Sequence, residues 1–300
     1  MSNLVLRLRA DFCLIIGTMD KPNETTASQQ KLPPRQEVSR EEELEDERFT
    51  SSSPDRQLLQ GPNWRMTDFK LVMSVVRDFM RAFRALHFVG PCITVFGSAR
   101  TPESHEHYQL AKQMGGELVK LGFTVMTGGG PGIMEAANRG AKEAGGRSVG
   151  CNIKLPMEQF ANRWLDHGVT LEHFFVRKTI LMKYSYGFVV MPGGVGTMDE
   201  TFEALTLIQT GKIRNFPIVL MGSDYWQPLM DFVKSMPMAG MISPEDLKLV
   251  HLTDSVEDAI QHLKDRAIQQ FGLRRRRSPD KRLPWLLEPT CGDAEVTKAG

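Results

Sequence analysis

The sequence predicts an α/β fold, a parallel sheet with helices on both faces, joined to one further helix on its N-terminal side. Three observations predict it. Short apolar runs of strand-forming residues alternate with helical stretches through the middle of the chain. Two of those runs end in glycine clusters that lead directly into a helix. The segments on either side of this region are polar and offer little to bury.

The first 20 residues, "MSNLVLRLRADFCLIIGTMD", hold a short apolar stretch crowded by Arg7, Arg9 and Asp11, and read as a mobile leader. From 21 to 62 the chain is polar, with "KLPPRQEVSREEELEDER" and "TSSSPDR", and reads as disordered. The pattern changes over 67–87. There Phe69, Val72, Val76, Phe79, Phe83 and Leu86 recur every three or four residues, which is one helix face, with Thr67 as N-cap and Asp68 in the first turn. Such a face docks on the core or on a second subunit.

"CITVF" (92–96) is a buried-strand run ending in Gly97-Ser98-Ala99-Arg100. A helix follows over 103–121. "FTVMT" (123–127) then runs into Gly128-Gly129-Gly130-Pro131-Gly132 and a helix over 133–144. "SVGCNI" (148–153) is the third strand. "GFVVM" (187–191) meets Pro192-Gly193-Gly194-Val195-Gly196-Thr197 and a helix reaching about 209. "PIVLM" (217–221) and helices near 226–235 and 256–271 complete the domain, placed at 63–271. The tail from 272 carries Arg274 to Arg277 and reads as a solvated basic segment.

Composition narrows the function classes. A formal net charge of +1 argues against a broad nucleic-acid surface. The four cysteines, Cys13, Cys92, Cys151 and Cys291, form no C-x-x-C pair, so neither a zinc site nor a disulfide framework is indicated. No apolar run approaches the ~18 residues of a membrane span. The cytosol is the default compartment.

Each glycine turn joins a strand to a helix start, where backbone N–H groups lack partners and the dipole favours an anion. Glycine lets the backbone approach a phosphate closely. Gly193, Gly194, Gly196 and Thr197 therefore read as a phosphate cradle. Neither turn fits G-x-x-x-x-G-K-[ST] or G-x-G-x-x-G. Asp199 and Glu200 follow at once. As first-turn acids they would compete with a phosphate for the positive helix end, unless a carboxylate turns towards sugar hydroxyls or a water. Upstream, Arg177 and Lys178 can balance both charges.

These residues resemble a known family. "PGGVGTMDE" (192–200) matches the P-G-G-x-G-T-x-x-E motif of the LONELY GUY family, cytokinin riboside 5′-monophosphate phosphoribohydrolases, often labelled "lysine decarboxylase". "GGGPGIMEAANRGA" (128–141) and "FFVRK" (174–178) are similar to its other two signatures. The resemblance spans about 90–261, and "GPCITVFGSART" is similar to a longer bacterial subgroup. It implies a Rossmann-like, usually dimeric protein that hydrolyses a nucleoside 5′-monophosphate to free base and ribose 5-phosphate, with no cofactor and no metal. Carried over by position, Arg177 and Glu200 match the catalytic pair. Lys178 and Gly193, Gly194, Val195, Gly196, Thr197, Met198 and Asp199 match substrate-binding positions, as do Glu158 and Thr206. Gly129, Gly130 and Met134 belong to the second glycine turn. The "PGIMEAAN" form departs from the plant members, leaving the base open between a cytokinin and adenine.

A binding module of another class, such as a molybdenum-cofactor carrier, resembles the same fold. The discriminating feature is the pair Arg177 and Glu200, which a carrier does not need. A pyridoxal-dependent decarboxylase is poorly matched, since nothing marks a Schiff-base lysine.

Overall fold

A computed structural model describes residues 55, 64–155 and 161–269. The expected leader, most of the acidic segment, the basic tail and Glu158 lie outside the described residues. Within them runs a seven-stranded sheet in the order β4-β3-β2-β1-β5-β6-β7, every pairing parallel.

The chain enters through α1 (Arg65–Leu86), which leads into β1 (Cys92–Phe96). Then come α2 (Glu106–Lys120), β2 (Thr124–Thr127), α3 (Ile133–Glu143) and β3 (Ser148–Ile153). The next elements are β4 (His167–Leu171), α4 (Phe174–Tyr184), β5 (Ser185–Val190) and α5 (Val195–Gln209). β6 (Ile218–Met221), α6 (Ser223–Met238), a 3₁₀ turn (Pro244–Leu249), β7 (Val250–Thr253) and α7 (Val256–Leu263) follow. A π-helical segment, Lys264–Gln269, continues α7.

The central strands β1, β2, β3 and β6 are buried at every position, as strands covered on both faces should be, and their Thr, Ser and Asn positions are buried with the apolar ones. One apolar layer joins Phe96, Phe188, Val190 and Trp226 with α1 and α4. The other joins Ile93, Val95, Val189 and Val219 with α2, α3 and α7. Alternate residues of β1 and β5 thus serve opposite layers, the period of two expected of a strand.

Two expectations for α1 are corrected. The helix begins at Arg65, with Trp64 as N-cap and no side-chain cap, so Thr67 lies in the first turn with its N–H on the Trp64 carbonyl. The core-facing stripe is Val75, Asp78, Phe79, Ala82, Phe83 and Leu86, so Phe79, Phe83 and Leu86 of the expected face do pack on the core. Phe69, Val72 and Val76 are about half exposed, at 60%, 56% and 47%, and with Met73 and Met80 they form an uncovered apolar strip.

Asp78 explains how α1 is fixed. Its carboxylate is fully buried, and Oδ2 accepts from the N–H groups of Glu172 (2.8 Å) and His173 (3.1 Å) while lying 2.9 Å from His173 Nδ1. α4 has no acid in its first turn and its N-cap residue, His173, makes no side-chain cap bond. A residue about 95 positions upstream therefore caps the helix that carries Arg177 and Lys178.

Candidate active site

At the carboxyl ends of β1, β2, β3, β5 and β6, where open parallel sheets hold ligands, lies a cavity of about 940 Å³. Its floor is the turn after β5. A Cβ on Gly193 would overlap the Thr197 side chain, so the turn closes only with glycine there. At Gly194 and Gly196 a Cβ would meet no protein atom within 4 Å. Packing does not demand those two glycines; what they leave is open space in the cavity. The first helical amide of α5 to find an intrahelical acceptor is Met198, bonded to the Gly194 carbonyl at 3.1 Å. The N–H groups of Val195, Gly196 and Thr197 thus face out of the helix end, a ready anion cradle. Tyr225, from the start of α6, donates its hydroxyl to the Gly193 carbonyl at 2.6 Å and fixes the turn from the β6 side.

One turn into α5, Glu200 reaches the other end of the cavity. Its residue exposure is 8%, and burial pushes its carboxyl up to about 7, against the pull of Arg177 and then Lys178. Arg177 reaches it from α4, with Nη1 3.5 Å from Oε1. That guanidinium is aimed by Nε, which donates to the Cys151 carbonyl at 3.0 Å, and it rests against Gly128, where no side chain would fit. Phe174, Leu155, Ile153, Asn152 and Met134 complete this end, an apolar surround with one amide. Burial pushes the Cys151 thiol up to about 12, so no thiolate nucleophile stands beside the pair.

The structure brings Arg177, Glu200, Asp199, Met134 and the run Gly193 to Thr197 to one cavity. It does not bring Lys178, Met198 or Thr206 into the lining. Lys178 is bound to Glu203 (2.9 Å) and Asp199 (3.0 Å). Burial works against its charge, but the two carboxylates outweigh it and raise its pKa, so it stays an ammonium. Met198 packs against the core. Thr206 is exposed, its hydroxyl donated to the Phe202 carbonyl at 2.8 Å. Gly129 and Gly130 are buried beneath the cavity and hold protein, as their bonds to Asn162 show. Asp199 and Glu200 stand in the second turn of α5, not the first, so dipole complementation does not account for them.

A family model described as "Possible lysine decarboxylase" matches residues 134–263. A cytokinin riboside 5′-monophosphate phosphoribohydrolase of Rhodococcoides fascians is 30% identical over 180 residues, which are 57% of this chain and 88% of that protein. The enzyme of that name from Mycobacterium tuberculosis is 31% identical over 166 residues, 54% of this chain and 88% of its own length. The chain belongs to this family. A rice member, named as a probable enzyme of the same kind, is 29% identical over 170 residues, 55% of this chain and 68% of its own. Among solved structures, a molybdenum cofactor carrier protein from Chlamydomonas reinhardtii matches with 28% identity and a TM-score of 0.45, over 59% of this chain and 97% of that one.

Sequence reading missed Ser98, Arg100, His105, His107 and Tyr225 as cavity residues. A signal existed for the first two. They follow β1, the strand next to β5, and any turn at that edge must face the turn after β5. For the histidines and Tyr225 no motif was available. Among the described residues, no group of three His, Cys, Asp or Glu is placed to hold a metal ion, and no helix is long and apolar enough to cross a membrane.

Proposed function

We propose that this protein hydrolyses the N-glycosidic bond of a nucleoside 5′-monophosphate, giving free base and ribose 5-phosphate. One observation carries the reading: three helix-start amides of α5 without intrahelical partners and a buried Glu200–Arg177 pair one turn further on open into the same cavity. The 5′-phosphate sits on the amides of Val195, Gly196 and Thr197. The ribose then lies over Glu200, and the base extends towards Phe174, Leu155 and Met134.

Breaking the bond places positive charge on the ribose, and a carboxylate in a dry site stabilises that charge strongly. Glu200 takes this role through the sugar hydroxyls and orients the attacking water. The water oxygen bonds to the anomeric carbon and releases one proton, the C–N bond electrons leave with the base, and the base takes up one proton, so the sum is one water added across the C–N bond. Arg177 holds Glu200 and lies where a departing base or a phosphate oxygen would pass. Phosphate binding remote from the bond positions the sugar, so the unphosphorylated nucleoside should be a poor substrate. Protonated, ion-paired Lys178 gives no support to Schiff-base chemistry. A carrier would find use for the cradle but none for the buried acid.

The uncovered strip on α1, from Phe69 to Met80, is the surface we assign to a second copy of the chain, because an apolar strip of this kind favours burial. Val76→Glu should then lower the mass measured by light scattering, whereas an unchanged mass removes α1 from the interface.

The test of the activity is product analysis after incubation with AMP, adenosine and isopentenyladenosine 5′-monophosphate. Base and ribose 5-phosphate from the monophosphates alone, lost in Glu200→Ala, is the expected result. Nucleotide bound without any release would favour the carrier. The two monophosphate rates rank adenine against a cytokinin base.

A further inference from the structure

The cavity is larger than its catalytic end requires, and its two ends differ in charge. Around Arg177 and Glu200 each charge has a partner. Asp199 is held by Lys178 at 3.0 Å. The other end is walled by Ser98, Arg100 and His105 from the segment between β1 and α2, and by His107 from the first turn of α2. Among the described residues, Arg100 has no carboxylate partner. The two acids between Arg100 and His107 in the chain are committed or turned outward. Glu103 is bound by Arg139, and Glu106 is 83% exposed, 3.9 Å from His107 Nε2.

We propose that Arg100, His105 and His107 close on the substrate's 5′-phosphate from the side opposite the Gly193–Thr197 turn, and so set the preference for a phosphorylated ribose. The proposal rests on the phosphoribohydrolase reading for its substrate class.

Two observations place this wall against the turn, and two more fix its shape. The Ser98 N–H donates to the Pro192 carbonyl at 3.0 Å, which ties the two loops together at their bases. A Cβ on Gly222 would lie 3.0 Å from Pro192 and 3.7 Å from His107 Nε2, so that imidazole stands beside the glycine turn. The segment is anchored at its far end. Gln109 Nε2 donates to the Glu103 carbonyl at 2.8 Å, and Arg139 grips the Glu103 side chain. Arg100 N–H donates to Ser98 Oγ at 3.1 Å, which sets where the Arg100 side chain departs.

The two imidazoles are joined at the start of α2: His105 Nδ1 accepts the His107 N–H at 3.1 Å as its cap, which leaves Nε2 as the ring nitrogen that can donate. Burial, and then the neighbouring His105 ring 4.6 Å away, hold His107 below the ordinary imidazole range, while Glu106 opposes them. An arriving phosphate reverses that balance by supplying negative charge, and His107 takes up a proton as it binds. The proton on His107 thus adds to the permanent charge of Arg100 in the same wall. It adds a guanidinium fork and two imidazole donors to three backbone amides, the donor-rich setting a phosphate monoester requires.

The test uses the full chain with Arg100→Gln and His107→Gln, each checked by thermal melting, and Arg100→Lys as the charge-retaining control. Calorimetric titration with ribose 5-phosphate and with inorganic phosphate reads the wall directly. Steady-state hydrolysis of AMP reads its use. Each Gln variant should weaken ribose 5-phosphate binding and raise the AMP KM by roughly tenfold to a hundredfold, the range for one charge-assisted hydrogen bond, with a smaller change in kcat. Arg100→Lys should recover part of the loss. Folded Gln variants whose ribose 5-phosphate affinity and AMP KM stay within about twofold of the parent would overturn the proposal. If the parent releases no base but binds ribose 5-phosphate, and the variants bind it weakly, the wall stands and the hydrolase reading falls. If the parent hydrolyses AMP and the variants do so with the same KM, the reverse holds.

Discussion

The turns after β2 and β5 look alike in sequence, three or four glycines between a buried strand and a helix, yet the protein uses them differently. In the turn after β2 the polar groups are answered by protein. Gly129 N–H donates to Thr127 Oγ1 (2.9 Å), Thr127 Oγ1 donates to Asn138 Oδ1 (2.6 Å), and Asn162 binds both the Gly129 and the Gly130 carbonyl. Gly129 adopts φ +75° and packs near Gly150 and Leu165. In the turn after β5 the amides of Val195, Gly196 and Thr197 stay open, and Gly194 and Gly196 face empty space. Glycine serves packing in one turn, and in the other it leaves open space beside the amides. A glycine-rich motif is therefore informative about binding only once its hydrogen-bond partners are known.

The comparison breaks most severely at Glu200, because only the second turn carries an acid into the cavity. Glu200→Gln should lower kcat for AMP by about 10²–10³-fold, the range for one electrostatic group at a reacting centre. The same change tests the cost of burying that acid. A carboxyl raised from its ordinary 4.5 to about 7 contributes stability fully present below about 4.5 and lost as pH rises through 7. Glu200→Gln should therefore melt higher than the parent at pH 8, by about 1–3 kcal/mol of stability, with no gain at pH 4. Equal melting shifts at both pH values would show that Glu200 is not held neutral by burial.

The next effect is on pH. If the carboxylate is the working form, kcat/KM for AMP rises with pH through an apparent pKa near 7 and levels off above it. Activity that falls over that range would make Glu200 a proton donor instead.

A smaller pair of effects separates the turns themselves. Gly129→Ala forces a side chain into the left-handed region and should cost about 1–2 kcal/mol of stability while leaving the AMP KM in place. Gly194→Ala meets no protein atom and should leave the melting temperature unchanged, but raise the AMP KM. The opposite pattern, a stability loss at Gly194 and a KM effect at Gly129, would exchange the roles of the turns.

Much of this was legible in the letters, and the gaps have physical causes. β1 and β3 fall where their runs placed them, because strands covered on both faces are mostly apolar or small, and their few polar residues, Thr94, Ser148 and Asn152, are buried too. β4 and β7 went unread. They are the sheet's edges, four or five residues long, and include His167, Gly168 and His251 among their positions. α4 was read as a motif and not as a helix, because "FFVRKTILMKY" is apolar on several sides and shows no clear period of 3.6. The cap of α4 by Asp78 joins residues far apart in sequence, which no local pattern reveals. In the site, the pairing of Arg177 with Glu200 followed from resemblance, whereas His105 and His107 lie where no motif points to them, and Arg100 could be placed only by its position after β1.

The central claim is that the turn after β5 binds the 5′-phosphate and thereby delivers the ribose to Glu200. The most direct measurement is the ratio of kcat/KM for AMP to that for adenosine, in the parent and in Gly194→Val, where the added side chain fills the cradle. The account predicts a ratio above about 10² in the parent, from the binding energy of a charge-assisted site. In the variant that ratio should collapse towards one through loss of the AMP rate alone. Equal rates on AMP and adenosine in the parent, or a ratio that survives Gly194→Val, would contradict it.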